Sequence, residues 1–179
     1  MKVSLDQLRG AILVMLLAIV PAWAQQRAQQ RDPLNPAEVD EMREVTQEPE
    51  KRLKLILKFA RARLDAIDQA RADTKTSAAD KTTQVHDLLQ DFVTIYDELG
   101  DNLDMYRDQS ADLRKPLKDV IQGDAEFRAR LRKLKESSTP DESKEDEFVL
   151  TSAIDSVNDG SLEHRKLLEE QNAAPRKKK

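Results

Sequence analysis

Four aspartates recur at intervals that place them on one stripe of a helix: Asp97, Asp101, Asp104 and Asp108. Like charges at such intervals repel one another by about 0.2–0.5 kcal/mol per pair. A hard cation such as Ca²⁺ would relieve the repulsion, because it prefers several oxygen ligands. One straight helix cannot wrap its carboxylates around an ion, however. The stripe is therefore only a weak metal candidate, and we favour a solvated acidic face or one paired with Arg114, Lys115 and Lys118.

Asp124 is an acidic residue on an apolar face. Helical periodicity places it between Val120 and Phe127, at an inward-facing position. If the third and fourth helices pair antiparallel about residues 109–110, Asp124 lies level with Tyr96. A hydrogen bond between them would satisfy both groups, as burial requires. We favour a structural pair that sets helix register; a small polar site inside the protein and a solvent-exposed Asp124 are the alternatives.

The two histidines do not form a recognisable metal motif. His164 falls on an inward-facing position and is a third buried polar candidate, whereas His86 flanks an apolar stripe. Di-iron bundles use a Glu-x-x-His motif on each of two helices. Ser161 and Thr83 stand where those glutamates would be, and the chain has no cysteine to supply a thiolate. We predict no metal site and no cofactor.

Sequence signatures of catalysis are absent as well. The chain contains no phosphate-cradling G-x-x-x-x-G-K-[ST], no G-x-G-x-x-G, no G-x-S-x-G and no H-E-x-x-H. A serine and a histidine could still meet in the fold, so a hydrolase with a cryptic site is the catalytic alternative. We predict that the protein is not an enzyme.

The elements that position these residues are long amphipathic helices. Charged residues make up 36% of the chain and glycines number only 4, which together with apolar spacings of three and four favours helices over sheets. The predicted fold is all-α, an antiparallel up-down bundle of four long helices preceded by a short N-terminal helix. A long coiled-coil hairpin is the competing architecture.

The helix bounds follow from caps, prolines and periodicity. The short helix begins after Asn35 and stops before Pro49. The next three span about residues 49–73, 78–108 and 111–136, and Pro116 implies a later start or a kink in the last of them. The fifth starts near Pro140 and is expected to break at residues 158–161, around Gly160. Each long helix carries one phenylalanine, predicted to be core: Phe59, Phe92, Phe127 and Phe148.

The second and third predicted helices carry opposite net charges. The second helix is basic in its first half, and the third is rich in aspartate and glutamate. The basic helix could bind an anionic membrane surface. We favour the simpler hypothesis that the two helices complement each other. Exposed ion pairs contribute only about 0–1 kcal/mol each, so charge would select the topology more than it would stabilise it.

The N-terminal residues 1–24 match a secretory signal peptide. Lys2 and Arg9 precede an apolar run that is too short to span a membrane, and the segment closes on Ala22-Trp23-Ala24. Cleavage after Ala24 would release an exported protein, periplasmic or secreted, without disulfides. The predicted organisation is a signal peptide (1–24), a flexible leader (25–34), a helical bundle domain (35–172) and a disordered basic tail (173–179).

The predicted role follows from the expected export and from the absence of catalytic and metal-binding motifs in the sequence. We expect a non-catalytic structural or interaction protein of the cell envelope, bound to another envelope protein, in an unknown oligomeric state. If the basic tail binds a surface, export makes that surface an anionic lipid or polysaccharide and not nucleic acid; the tail comprises Arg176, Lys177, Lys178 and Lys179. A solvated tail that contacts nothing is the alternative. A periplasmic stress chaperone or cation-binding protein that uses the acidic third helix is one alternative. A peripheral binder of anionic membranes is another.

Overall fold

A computed structural model of the chain describes residues 31–46, 48–138 and 140–175, except the side chains of residues 140–145. This part of the chain contains helices and no strands, which confirms the all-α prediction. The five helices are α1 (Pro36–Glu44), α2 (Pro49–Ala72), α3 (Ala78–Asp108), α4 (Arg114–Ser137) and α5 (Pro140–Ala173). None of the described helices is long and apolar enough to cross a membrane.

Local signals explain where the helices begin. Asn35 caps α1 by accepting a hydrogen bond from the Glu38 backbone N–H at 3.0 Å, and its own N–H donates to the Glu38 side chain at 2.9 Å. Pro116 is the third residue of α4, where a backbone N–H has no acceptor within the helix. The proline therefore fits the first turn, and α4 begins three residues later than expected because Leu113 forms the cap.

α5 is continuous through residues 158–161, so the expected break is wrong. Gly160 has no positive φ and does not end a helical segment. A side chain at this position would instead collide with Tyr96, because its Cβ would lie 2.7 Å from the Tyr96 hydroxyl oxygen. The absence of a side chain at Gly160 therefore allows α5 and α3 to pack closely.

The helices pack so that α2 contacts α3 and α4, and α5 contacts the same two helices. Within the described residues, α3 and α4 make no close backbone contact, although they are consecutive in the chain. They face each other across the core through Phe92 and Phe127, whose ring centroids are 5.4 Å apart. The side-by-side pairing assumed for these two helices is therefore not found.

Three of the four phenylalanines are core residues, and the prediction is wrong for the fourth. Phe59, Phe92 and Phe127 are at most 1% exposed, whereas Phe148 is 84% exposed. The inner face of α5 is formed by Val149, Leu150, Ala153, Val157 and Leu167. At 100° per residue, Phe148 lies on the opposite side of the helix from this face, and so does Leu162, which is 66% exposed.

Candidate functional site

Three side chains from three helices form a buried polar network. Tyr96 of α3 donates its hydroxyl to Asp124 Oδ1 at 2.7 Å, and His164 Nδ1 of α5 lies 2.9 Å from Asp124 Oδ2. Asp124 is 0% exposed, and Tyr96 and His164 are each 4% exposed. The structure thus brings together all three residues predicted as buried polar candidates.

Small residues and aromatic rings position this network. The Tyr96 ring stacks on Phe92 with centroids 6.0 Å apart and meets the edge of Phe127 at 6.3 Å. Gly160 leaves the space that the Tyr96 hydroxyl occupies. Gly123, next to Asp124, allows α2 to approach, because a Cβ there would lie 3.0 Å from Leu57 Cδ2.

The electrostatics of the network keep Tyr96 a hydrogen-bond donor. Burial raises the pKa of the Tyr96 hydroxyl, and the nearby negative charge of Asp124 raises it further. The carboxylate can only accept, so His164 donates its Nδ1–H in the arrangement that satisfies both groups. Each carboxylate oxygen then has one donor. His164 also lines a cavity of about 240 Å³ together with Asp104 and Arg107.

Asp124 and His164 together also resemble two members of a hydrolytic triad. The third member of such a triad is a nucleophile that is hydrogen-bonded to the histidine. Ser161 precedes His164 by one helical turn and is 1% exposed. Its hydroxyl has no hydrogen-bond partner in the part of the chain that the structure describes, so it does not bond to the imidazole. The geometry therefore provides a base and its orienting acid without an activated nucleophile.

The acidic stripe lies on the exposed surface of α3. Arg107 Nη1 is 3.0 Å from Asp104 Oδ1, and its Nε is 3.7 Å from Asp108 Oδ1. Partial desolvation raises the pKa of Asp97, and the neighbouring charge of Asp101 raises it further. Among residues 31–46, 48–138 and 140–175, no cluster of three or more acidic or histidine side chains could hold a metal ion.

Two of the three cations expected to neutralise this stripe pair elsewhere. Arg114 lies 3.1 Å from Asp112, and Lys115 lies 2.7 Å from Glu50. Hydrogen bonds from Lys115 and then Lys54 lower the pKa of Glu50 to about 2. Lys115 faces α2, which is the neighbour of α4, whereas Arg114 pairs with an acid two residues before it.

The basic half of α2 is paired within the protein. Two of its cations reach α3: Arg52 lies 3.2 Å from Glu98, and Arg63 lies 3.7 Å from Asp91. The others contact acids of different segments: Lys51 with Glu48, Lys54 with Glu50 and Asp119, Lys58 with Glu41, and Arg61 with Glu126. The predicted α2–α3 complementarity thus involves two of these cations, and the others pair with acids of α1, of α4 and of α2 itself and with the residue that precedes α2.

A second histidine–aspartate contact was not anticipated. His86 Nδ1 of α3 lies 3.2 Å from Asp146 Oδ1 of α5, and Asp146 is 6% exposed. Gln90 Nε2 is 2.8 Å from His86 Nε2, so the neutral Nδ1–H tautomer satisfies both contacts. Asp146 precedes Leu150 by four residues and Ala153 by seven, and this helical spacing was the available signal.

Two predicted segments lie outside the described residues. They are the signal cleavage site at Ala22 and Ala24 and the tail Arg176, Lys177, Lys178 and Lys179. The end of the predicted leader is described: Arg63 donates to the Pro33 carbonyl, and Leu34 packs against the core.

Comparisons with protein-family models, with curated proteins and with solved structures found no match for this chain.

Proposed function

We propose that this protein is an exported, non-catalytic helical bundle that binds another envelope protein through the outer face of α5. The observation that carries the proposal is Phe148. Burying a phenylalanine stabilises a fold by about 1.5–3 kcal/mol, yet α5 directs this one to the surface, 84% exposed. Aromatic side chains are enriched where protein partners bind. Leu162, two heptads further along, lies on the same side of the helix.

The buried polar network supports the non-catalytic part of the proposal. Asp124 is fully buried, and its partners Tyr96 and His164 belong to different helices. Such a network sets helix register, and the Ser161 hydroxyl one turn before His164 is not bonded to its imidazole. The functional surface is then outside the core.

The proposal includes the directions of the four long helices, which we infer to be up, down, up and down. Contacts between α2 and α3 support opposite directions, because Arg52 meets Glu98 whereas Arg63 meets Asp91. Contacts between α2 and α4 support a shared direction, because Glu50 pairs with Lys115 whereas Arg61 pairs with Glu126. Contacts between α4 and α5 support opposite directions, because Leu113 meets Gln171 whereas Asp124 meets His164. The outer face of α5 would then run along the side of the bundle and present Phe148 and Leu162 to a partner.

Photo-crosslinking in cells tests the interaction. A photoreactive amino acid at position 148 or 162 should give the same crosslinked envelope protein, and competition by excess unlabelled protein should remove the product. Unlabelled Phe148→Ser protein should compete poorly. The control position is Lys133, an exposed residue of α4. Equal crosslinking at position 133, or none at 148 and 162, would contradict the proposed surface.

Export is tested separately at the N-terminus. The pattern of residues 1–24 predicts that the mature chain begins at Gln25. Mass spectrometry of protein recovered from the envelope fraction should find this terminus, and Ala24→Glu should leave the precursor uncleaved. A chain recovered only with Met1 would contradict export by signal-peptide cleavage.

A periplasmic stress chaperone or cation-binding protein that uses the acidic face of α3 is a second candidate, favoured by the exposure of all four stripe aspartates. Millimolar Ca²⁺ or Zn²⁺ should then raise the melting temperature, and the protein should suppress aggregation of an unrelated unfolding protein. Asp101→Asn with Asp104→Asn should abolish the shift. The membrane-surface alternative depends on the tail, since the cations of α2 are paired within the protein.

A further inference from the structure

A cavity of about 240 Å³ lies between α3 and α5 and reaches the buried network at His164. Two apolar side chains line it, Leu103 at 2% exposed and Leu167 at 7% exposed. Gly100 leaves the α3 side open, because a Cβ there would meet nothing within 4 Å. The cavity is smaller than the roughly 300–1,000 Å³ of drug-sized ligand sites, so it suits a small molecule. The remaining lining residues are polar or charged: Asp104, Arg107, Glu163, His164, Lys166 and Glu170.

The His164 imidazole has one unused nitrogen at this cavity. Its Nδ1 is bonded to Asp124 at 2.9 Å, whereas Nε2 has no hydrogen-bond partner in residues 31–46, 48–138 and 140–175. In that part of the chain, the buried side-chain atoms without a partner belong to Tyr106, Arg114 and Ser161. His164 Nε2 is not one of them, so it is not enclosed by protein. Because Nδ1–H is donated to Asp124, the neutral ring accepts a hydrogen bond at Nε2.

The charged side chains of the lining leave one carboxylate in excess. Asp104 lies 3.0 Å from Arg107, and Glu170 lies 4.0 Å from Lys166. Glu163 is the third carboxylate, and it makes no ion pair with any described residue. Both segments that form the cavity, residues 100–107 and 163–170, are described in full. The lining therefore carries one net negative charge beside the acceptor of His164.

Nearby acids add to this negative charge. Burial and Asp124 are the main causes that raise the pKa of the Tyr96 hydroxyl, and the charges of Asp97 and Glu163 raise it further. Both carboxylates therefore act on the network that contains His164. Asp104 belongs to the acidic stripe as well as to the cavity lining. A small cation at the cavity is thus favoured over an anion.

We propose that this cavity binds the primary ammonium group of a short linear alkylamine. The ammonium would donate one hydrogen bond to His164 Nε2 and another to Glu163, and the alkyl chain would lie over Leu103 and Leu167. An organic cation fits better than a metal ion, because the described residues contain no group of three or more acidic or histidine side chains that could hold a metal. This inference goes beyond the proposed function and does not depend on the outer face of α5.

Nuclear magnetic resonance of the imidazole nitrogens in the full chain tests the proposal. The protein has only two histidines, so His86 is an internal reference, and His86→Gln assigns the signals. At constant pH and ionic strength, butylammonium should shift the His164 Nε2 signal to saturation and leave His86 unchanged. Tetramethylammonium, which lacks an N–H donor, and butanol, which lacks the charge, should each bind at least about tenfold more weakly. Ethylammonium, shorter by two methylenes, should bind up to about 15-fold more weakly than butylammonium.

Two glutamates of α5 provide a matched pair of variants. Glu163 lines the cavity, whereas Glu169 is an exposed glutamate of the same helix that does not. Glu163→Gln should weaken butylammonium binding about tenfold, since it removes the charged acceptor, and Glu169→Gln should bind like the unaltered protein. Gly100→Leu, which fills the open side of the cavity, should abolish binding, whereas Gly100→Ala adds a single carbon and should retain it. Circular dichroism checks that each variant folds.

Four results would overturn the assignment. They are the absence of a saturable shift at His164, an equal shift with tetramethylammonium, equal affinities in Glu163→Gln and Glu169→Gln, and unchanged affinity in Gly100→Leu. The second would show that charge alone is recognised, and the last would place the amine outside the cavity. If Gly100→Leu does not fold, the comparison of the two glutamate variants decides the question alone.

Discussion

Gly160 stands inside α5, where alanine would normally be the better residue. Exchanging a glycine for alanine within a helix gains about 0.8–1 kcal/mol. At Gly160, however, the added Cβ would lie 2.7 Å from the Tyr96 hydroxyl oxygen, 3.0 Å from Cε1 and 3.2 Å from Cζ. We therefore predict that Gly160→Ala destabilises the protein in spite of the gain in helix propensity.

The size of the effect follows from how little Tyr96 can move. Its hydroxyl is bonded to the fully buried Asp124 at 2.7 Å, and Phe92 and Phe127 confine its ring. Overpacking a core costs about 1–3 kcal/mol, and losing a hydrogen bond to a charged partner costs about 1.5–3 kcal/mol. Together these costs are about 2.5–6 kcal/mol, so after subtraction of the propensity gain we expect a net loss of about 1.5–5 kcal/mol. In a chain of this length each kcal/mol lowers the melting temperature by about 2–4 °C.

Gly100 provides the control, because it also lies within a long helix and a Cβ there would meet nothing within 4 Å. Gly100→Ala should stabilise the protein by up to about 1 kcal/mol. Urea denaturation followed by circular dichroism measures both variants, since the single tryptophan, Trp23, lies in the predicted signal peptide. If Gly160→Ala proves as stabilising as Gly100→Ala, the close approach of Tyr96 is refuted. Tyr96→Phe should recover part of the loss in the Gly160→Ala background, because it removes the nearest atom.

Three further predictions concern other side chains. Asp124→Ala should cost about 3–5 kcal/mol in urea denaturation, because it leaves two buried donors without an acceptor; a loss below about 1 kcal/mol would contradict a stabilising network. Burial opposes ionisation of Glu38, but hydrogen bonds from Arg63 and Asn35 still hold its pKa below 4.5. The stability that Glu38→Gln removes should therefore be present above pH 4.5 and disappear as the pH falls through the lowered pKa, and a pH-independent difference would be inconsistent with this. Phe148→Ser should change thermal stability by less than about 0.5 kcal/mol, whereas Phe127→Ala should cost about 3–5 kcal/mol; equal losses would show that Phe148 is buried.

The helices were predictable because their signals are local. The third helix was expected over residues 78–108 and occurs there, since a serine cap precedes an apolar stripe held across several turns. Gly160 was misinterpreted because glycine ends many helices, and its neighbour Ser161 resembles a cap for the next. The collision that requires glycine here involves Tyr96, which is 64 residues away in the chain. Sequence spacing carries no information about such an approach.

The candidate site was predictable in part for a similar reason. Asp124 and His164 could be placed on inward faces by periodicity alone, and Tyr96 by its stripe. That His164 bonds to the same carboxylate as Tyr96 depends on how α3, α4 and α5 are arranged around the core. The His86–Asp146 contact and the cavity lined by Gly100 and His164 have the same origin, because each combines residues of different helices.

The sequence by itself determined the helical class, the helix limits to within a few residues and the inward-facing set that includes Asp124. These properties depend on the hydrogen bonds and periodicity of single helices. Only the tertiary structure decided that α3 and α4 face each other across the core, that Phe148 points outward and that the cations of α2 pair with three other helices. The physical reason is that many helix orders bury the same apolar stripes, and side-chain fit among the helices selects one of them.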